Sequence, residues 1–404
     1  MKKTALVSAI LLALAACGTD PDPQPASDGV EQIETRDATD AEINAATAAS
    51  LDNSIEILRH SNAPNMAVSP ASLTYALALA GEGAQCETET EINAFLGVDD
   101  DSRASVYTQL TDTVHQDSDR HVTDFQSVIV DNSERNDADE AKLQSVASAY
   151  GSDFMSGSPA ELNDLLGEWV EEATGGRQTA LPSPLPDDME AVFLTAMRHE
   201  TEWREEPRPT AYDFTTLGGD TVEVDGYGMV GKHSGWQVDG GMIIRLKTAS
   251  PHSTYLYYPD EIIDPTELTA ADWERDGESV DVLLSVPGID LETKTDVLEV
   301  KDQIGLPHID DRRPGCGLAD YSTVDDTIAT DVVVQNATFR LDQDGIAATA
   351  VTEIVGLTGA APDEREPIIV AVDRPYAMMT VDSQTGWTVM YVTVTDPTAD
   401  PVQG

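Results

Sequence analysis

Between Asp342 and Pro375 the chain reads DQDGIAATAVTEIVGLTGAAPDEREPIIVAVDRP. From Gly345 to Val355 the side chains are small or β-favouring, without proline and with a single charge, Glu353. From Gly356 to Pro367 they turn to glycine, alanine, proline and acid, which is loop chemistry. A segment fit to be a strand but followed at once by a long polar loop constrains the fold more than any other feature here. It reads as a strand not yet placed, a bait with a stored conformational change.

Other stretches surround this one in a fixed order. Asn65, Ser69, Pro70 and Ser72 open an alanine-rich run in which Ser69 is placed to cap a helix and Pro70 to fill its first turn. Trp169, Val170, Thr174 and Gly176 close the run Leu162 to Arg177, Gly176 serving as a helix stop. AVFLTAMRHETEW spans Ala191 to Trp203, and DVVVQNATFRL leads from Asp331 into the hinge at Asp342 to Val351. The tail carries Asp373, Arg374, Pro375, Tyr376, then Thr385, Gly386, then Asp396, Pro397. Hinge and tail in this order resemble the serpins, suicide inhibitors of serine proteases, and the resemblance runs from about Ala41 to Pro397.

The resemblance implies an α+β fold: a large central, mostly antiparallel sheet, about eight or nine helices, smaller sheets and an exposed reactive loop near the C-terminus. It places Ser69, Thr195, Trp203 and Gln335 where the central sheet opens, Ala191–Trp203 and Asp331–Leu341 flanking the gap that the bait fills. Thr195 and Gln335 stand where the family carries asparagine and histidine, and are expected to compensate each other. Gly167 also replaces an asparagine. The hinge is Asp344, Gly345, Ile346, Ala347, Ala348, Thr349 and Ala350, with Gly345 as a pivot free to take unusual backbone angles. Strand alternation sends Ile346, Ala348, Ala350, Thr352, Ile354 and Gly356 to one uncharged face that can meet the core. Ile346 departs from the usual threonine or serine, and a non-inhibitory serpin-fold surface lipoprotein serving as a binding module or protease substrate is the competing reading. Counting about fifteen residues from Gly345, as strand insertion by this family requires, puts the cut at Gly359–Ala360. Leu357 would suit a chymotrypsin- or subtilisin-like enzyme, Thr358 or Gly359 an elastase-like one. A serine protease is the implied partner, with a papain-like cysteine protease as alternative, and the inhibitor is implied to be a monomer.

The remaining segments read from ordinary patterns. Ala41 to His60 repeats Ile43, Ala46, Leu51, Ile55 and Leu58 at helical spacing, Glu140 to Tyr150 looks helical, and Phe125 to Asp131 has strand character. MIIRLK and TYLYYP read as the arms of a hairpin over Gly240 to Pro259, and a short helix is expected to end at Ile304–Gly305. Lys2 and Lys3, an apolar run from Ala5 to Ala13 and Leu14-Ala15-Ala16-Cys17 form an export signal with a lipobox-like end. Residues 1–17 are read as a lipoprotein signal, with Cys17 lipidated and membrane-anchored at the cell surface or in the periplasm, 18–40 as a flexible tether and 41–404 as one domain. An ordinary signal peptide is the alternative. Whether Cys86 and Cys316 pair is left open by sequence.

A net charge of −51, from 74 acids against 23 bases, argues against nucleic acid, which needs clustered Lys and Arg. With 40% hydrophobic residues the chain is not of the disordered kind, and its surface reads as one suited to salt, or as that of an acidic secreted protein. Enzyme motifs fail one by one. His199-Glu200 lacks the second histidine at Trp203, and Arg340 and Val351 cannot serve as the end ligands of a calcium loop. No catalytic constellation, cofactor or metal is expected.

Overall fold

The computed structural model describes residues 33–399 other than 61–63, 136, 182, 325–327, 329, 331–332 and 347–365. The first half interleaves helices and strands: α1 (Asp40–Arg59), β1 (Asn65–Val68), α2 (Pro70–Gly81), α3 (Glu87–Leu96), α4 (Asp100–Val114), β2 (Gln116–Ser118), β3 (His121–Asn132), α5 (Glu140–Tyr150), β4 (Asp153–Gly157), α6 (Pro159–Ala173) and β5 (Ala191–Glu202). The second half is β-rich: β6 (Arg208–Thr215), β7 (Thr221–Gly228), β8 (His233–Val238), β9 (Gly241–Arg245), β10 (Ser253–Pro259), β11 (Glu278–Pro287), β12 (Ile289–Asp296), β13 (Val334–Leu341), β14 (Gly345–Ile346), β15 (Ile368–Ala371), β16 (Tyr376–Val381) and β17 (Thr388–Val394).

Local signals set most of these ends. Thr39 and Ser158 close capping boxes with Glu42 and Glu161, and Ser69 Oγ accepts from the Ser72 amide at 3.3 Å with Pro70 in the first turn of α2. Among the described residues there are six α-helices and four 3-10 segments in place of the eight or nine helices expected. The short helix expected before Gly305 is a 3-10 turn at Val297–Val300. The segment 33–39, read as the end of a tether, lies against α4: the Arg36 amide donates to Ser105 Oγ at 3.1 Å and the Ala38 amide to Gln109 Oε1 at 3.1 Å.

The described strands form two sheets. One has ten strands in the order β1-β17-β16-β10-β9-β8-β11-β7-β6, with β15 on β11. The other has seven, in the order β12-β13-β14-β5-β3-β2, with β4 on β3. In the seven-stranded sheet, β3 and β5 are covered on both faces. Phe125, Ile129, Phe193 and Met197 pack with α2, α4 and α5, while Val128, Val130, Val192, Leu194 and Ala196 pack with α6. That cover on both faces accounts for the short apolar runs at 128–130 and 191–194 within them.

Cys86 and Cys316 form a disulfide, joining the start of α3 to the segment that leads toward β13. Sequence could not decide this because 230 residues separate them. The same segment is held by Thr88 Oγ1 donating to the His308 carbonyl at 2.7 Å and by an Arg313–Glu87 ion pair at 2.6 Å.

Candidate functional site

Among the described residues, gap-flanking strands β5 and β13 are joined in the sheet through β14. Gly345 and Ile346 pair with Glu202 and Thr201 on one side, and Ile346 pairs with Leu341 on the other. Below that bridge a cleft of about 920 Å³ separates the strands, lined by Leu73, Leu77, Phe193, Met197, Ile328 and Phe339 among others. Hydrogen-bonding groups go unused along it. Glu190 Oε2, Arg198 Nε, His199 Nε2, Thr330 Oγ1 and Asn336 Oδ1 line the cleft, buried and without a partner. A buried polar atom left unpaired is costly, so these walls suit an occupant carrying both donors and acceptors.

The hinge is braced at its upper end. Asp342 Oδ1 accepts from the amides of Asp344 at 2.9 Å and Gly345 at 3.3 Å, an Asx-type turn instead of a calcium ligand set. Trp203 Nε1 donates to the Asp342 carbonyl at 2.8 Å. Gly345 also answers a packing demand: a Cβ there would lie 2.1 Å from the Thr201 carbonyl oxygen, so close strand approach favours glycine. Ile346 is only 1% exposed and joins the core with Phe339 and Leu341, so the bulky hinge residue is accommodated.

Of the predicted opening residues, Ser69, Thr195 and Gln335 come together around the start of α2 and Trp203 lies at the hinge end, and Thr195 and Gln335 do not bond each other. Gln335 takes the Ser69 amide on Oε1 and gives Nε2 to the Ser69 carbonyl, both at 2.8 Å. Thr195 Oγ1 donates to the Ser72 carbonyl at 2.9 Å. Each departure from the family pattern is satisfied by α2, one from either side of the gap. The remaining site candidates, Ala347, Ala348, Thr349, Ala350, Leu357, Thr358, Gly359 and Ala360, lie outside the described residues, as does Cys17.

Charge on the α6 side of β5 was not anticipated. Glu200, 5% exposed, takes Arg177 Nε at 3.1 Å on one oxygen and Arg198 Nη2 at 2.8 Å on the other. Gln178 reaches the opposite strand, Nε2 donating to the Asn336 carbonyl at 3.1 Å. The only sequence cue was the Thr174-to-Gly176 turn that brings these two residues round. Further down, burial pushes the Glu190 carboxyl up against the opposing pull of Arg135. On the inner face, burial and the neighbouring His252 and His121 lower His199 to about 3, its Nδ1 lying 2.9 Å from Thr123 Oγ1. His199 is thus packed on the inner face and Glu200 forms an ion cluster with Arg177 and Arg198.

Comparison with known proteins agrees with this geometry. A family model described as serpin (serine protease inhibitor) matches residues 44–397. Iripin-3 of Ixodes ricinus is 25% identical over 367 residues, covering 82% of this chain and 88% of that protein. The thermophilic serpin tengpin in its native state superposes with a TM-score of 0.75 at 19% identity, over 90% of this chain and 96% of its own. Human thyroxine-binding globulin gives a TM-score of 0.73 at 16% identity, over 89% and 100% of the two chains. The chain belongs to the serpin family. Members of that family are typically protease inhibitors, although some, thyroxine-binding globulin among them, are not.

Proposed function

We propose that this serpin is a suicide inhibitor of serine proteases whose bait loop, once cut, enters the seven-stranded sheet. The enzyme's serine oxygen attacks the carbonyl carbon at the cut site, the amide bond breaks, and the departing amine takes a proton. The enzyme remains as an ester on the bait. Insertion then drags it away before water can complete the hydrolysis.

One observation carries this reading: β14 sits between β5 and β13 at the mouth of a gap that nothing described fills. Each bait residue beyond Ile346 steps one residue back along β5, so 347–356 would fall opposite 200–191, the rest of that strand. Gly359 then lies just past its end, where a tethered enzyme would be carried clear of the bait's starting position. The new ladder bonds, at a net ~0.5–1.5 kcal/mol each, sum to the order of 10 kcal/mol, enough to make the step irreversible. With Ile346 facing the core, Ala348, Ala350, Thr352 and Ile354 follow it inward, and no charge is buried there.

The bait suits a chymotrypsin- or subtilisin-like enzyme at Leu357, or an elastase-like one at Thr358 or Gly359. Lipidated Cys17 would hold the inhibitor on a membrane outside the cytoplasm. Among the described residues no helix is long and apolar enough to cross one. Its acidity suits a salty medium, which screens self-repulsion. The test is to incubate the chain lacking residues 1–17, in high salt, with subtilisin-, elastase-, chymotrypsin- and trypsin-like proteases and run denaturing gels. A band at the summed mass is expected. Cleavage without such a band for every protease would favour a binding role instead.

A further inference from the structure

After α6 the chain is turned back over the gap. Thr174 Oγ1 donates to the Val170 carbonyl at 2.7 Å and accepts from the Gln178 amide at 3.1 Å, while Gly175 and Gly176 take φ values of 63° and 79°. At Gly175 the positive φ already strains a side chain, and a Cβ would lie 2.6 Å from the Arg198 guanidinium carbon, which would have to shift. Consecutive residues then grip opposite strands, Arg177 holding Glu200 of β5 and Gln178 holding the main chain of β13 at Asn336.

Main-chain direction gives that second contact its meaning. In an antiparallel pair, residues alternate between bonding one neighbour and turning to the other side. The Val297 amide donates to the Val333 carbonyl at 2.8 Å, so odd-numbered residues of β13 face β12. The Asp342 amide donates to the Gly345 carbonyl at 3.0 Å, so even-numbered ones face the gap. Asn336 is even. Its carbonyl is therefore a vacant rung of the sheet, and the Gln178 side-chain amide occupies it. Extending the pairing of Leu341 with Ile346 places Val351 opposite Asn336, so the Val351 amide and the Gln178 amide compete for one acceptor.

We propose that Gln178, supported by Arg177, is a staple across the gap that occupies a rung of the missing strand and must release it before the bait can enter. This rests on the insertion reading above and makes Gln178 a positioning residue that sets the speed of that step. The test uses the wild-type chain, Gln178→Ala and Gln178→Glu, each nicked by a subtilisin-like protease used as a loop-cutting reagent. Ionised glutamate cannot donate to a carbonyl, so both variants lose the contact while the second keeps its shape.

Denaturant resistance after nicking should develop about five-fold faster in both variants, the factor corresponding to one net hydrogen bond. The intact variants should be less stable than intact wild type by a similar factor, while the fully inserted forms of all three should unfold alike. Unchanged rates of gain overturn the staple, as does an equal loss of stability in intact and inserted forms, which would make Gln178 merely structural. A nicked wild type that never gains resistance sinks the insertion reading itself, and the staple with it.

Discussion

In the ten-stranded sheet, β16 and β17 lie between β1 and β10 with partners on both sides, their register interrupted only near Thr380 and Val381. In the seven-stranded sheet, β5 and β13 confront each other across a cleft with two residues between them. Both sheets are made of similar β-favouring sequence. Their difference shows that face packing and lateral pairing can be separated. Helices cover both faces of β3 and β5, and β13 packs Phe339 and Leu341 into a core with Ile346, so each bank of the gap is held by apolar burial while, among the described residues, only Gly345 and Ile346 pair as a strand between them.

That contrast is broken most forcefully by cutting the bait. Nicking should stabilise the seven-stranded sheet by an amount on the order of 10 kcal/mol, read from denaturant unfolding before and after the cut. A tryptophan reporter in the ten-stranded sheet, Trp236, should keep its native environment throughout. A smaller effect separates the banks through their anchors. Reducing the Cys86–Cys316 bond, or replacing both residues by serine, should cost about 2–5 kcal/mol in the intact protein, measured by the same unfolding curves.

The smallest of the three effects comes from acid and acts on the β5 bank. His199 is held at about 3 in the folded chain against an ordinary value of 6.5, so below pH 6.5 the unfolded chain binds the proton that the folded one refuses. Stability is therefore lost as pH falls from 6.5 toward 3, by about 2 kcal/mol at pH 5. His199→Gln should flatten that part of the stability profile. An unchanged profile would place the titration elsewhere.

Strands were legible wherever β-favouring residues filled a pleat: Phe125 to Asp131, Ala191 to Trp203 and the arms of the Met242 hairpin all lie in strands or run one or two residues past an end. The Ser69 cap was legible because it is local. The helix count was not, since segments such as 265–267 and 270–273 have helical starts but run only a single 3-10 turn. At the candidate site, sequence identified the participants around Ser69 but not their pairing, because Gln335 and Thr195 each choose a main-chain partner on α2 more than a hundred residues away. The packing reason for Gly345 was not legible, since only three-dimensional contact reveals the Thr201 oxygen beside it. The Gln178 contact carried no signal of its own, being a glutamine on a loop until the opposite strand supplies a carbonyl.

The bait's two ends are rooted in different sheets, Ile346 in the seven-stranded one and Ile368 at the start of β15 in the ten-stranded one. The described residues after a cut at Gly359 carry β15, β16 and β17, and Trp387 and Tyr391 among them are fully buried. A severed molecule therefore does not shed its tail but becomes a non-covalent heterodimer of a long and a short polypeptide, of unchanged size on a gel-filtration column. Its short chain appears only on denaturation. From then on, renaturation is an encounter between two molecules, and its yield depends on concentration, as folding of the uncut chain does not.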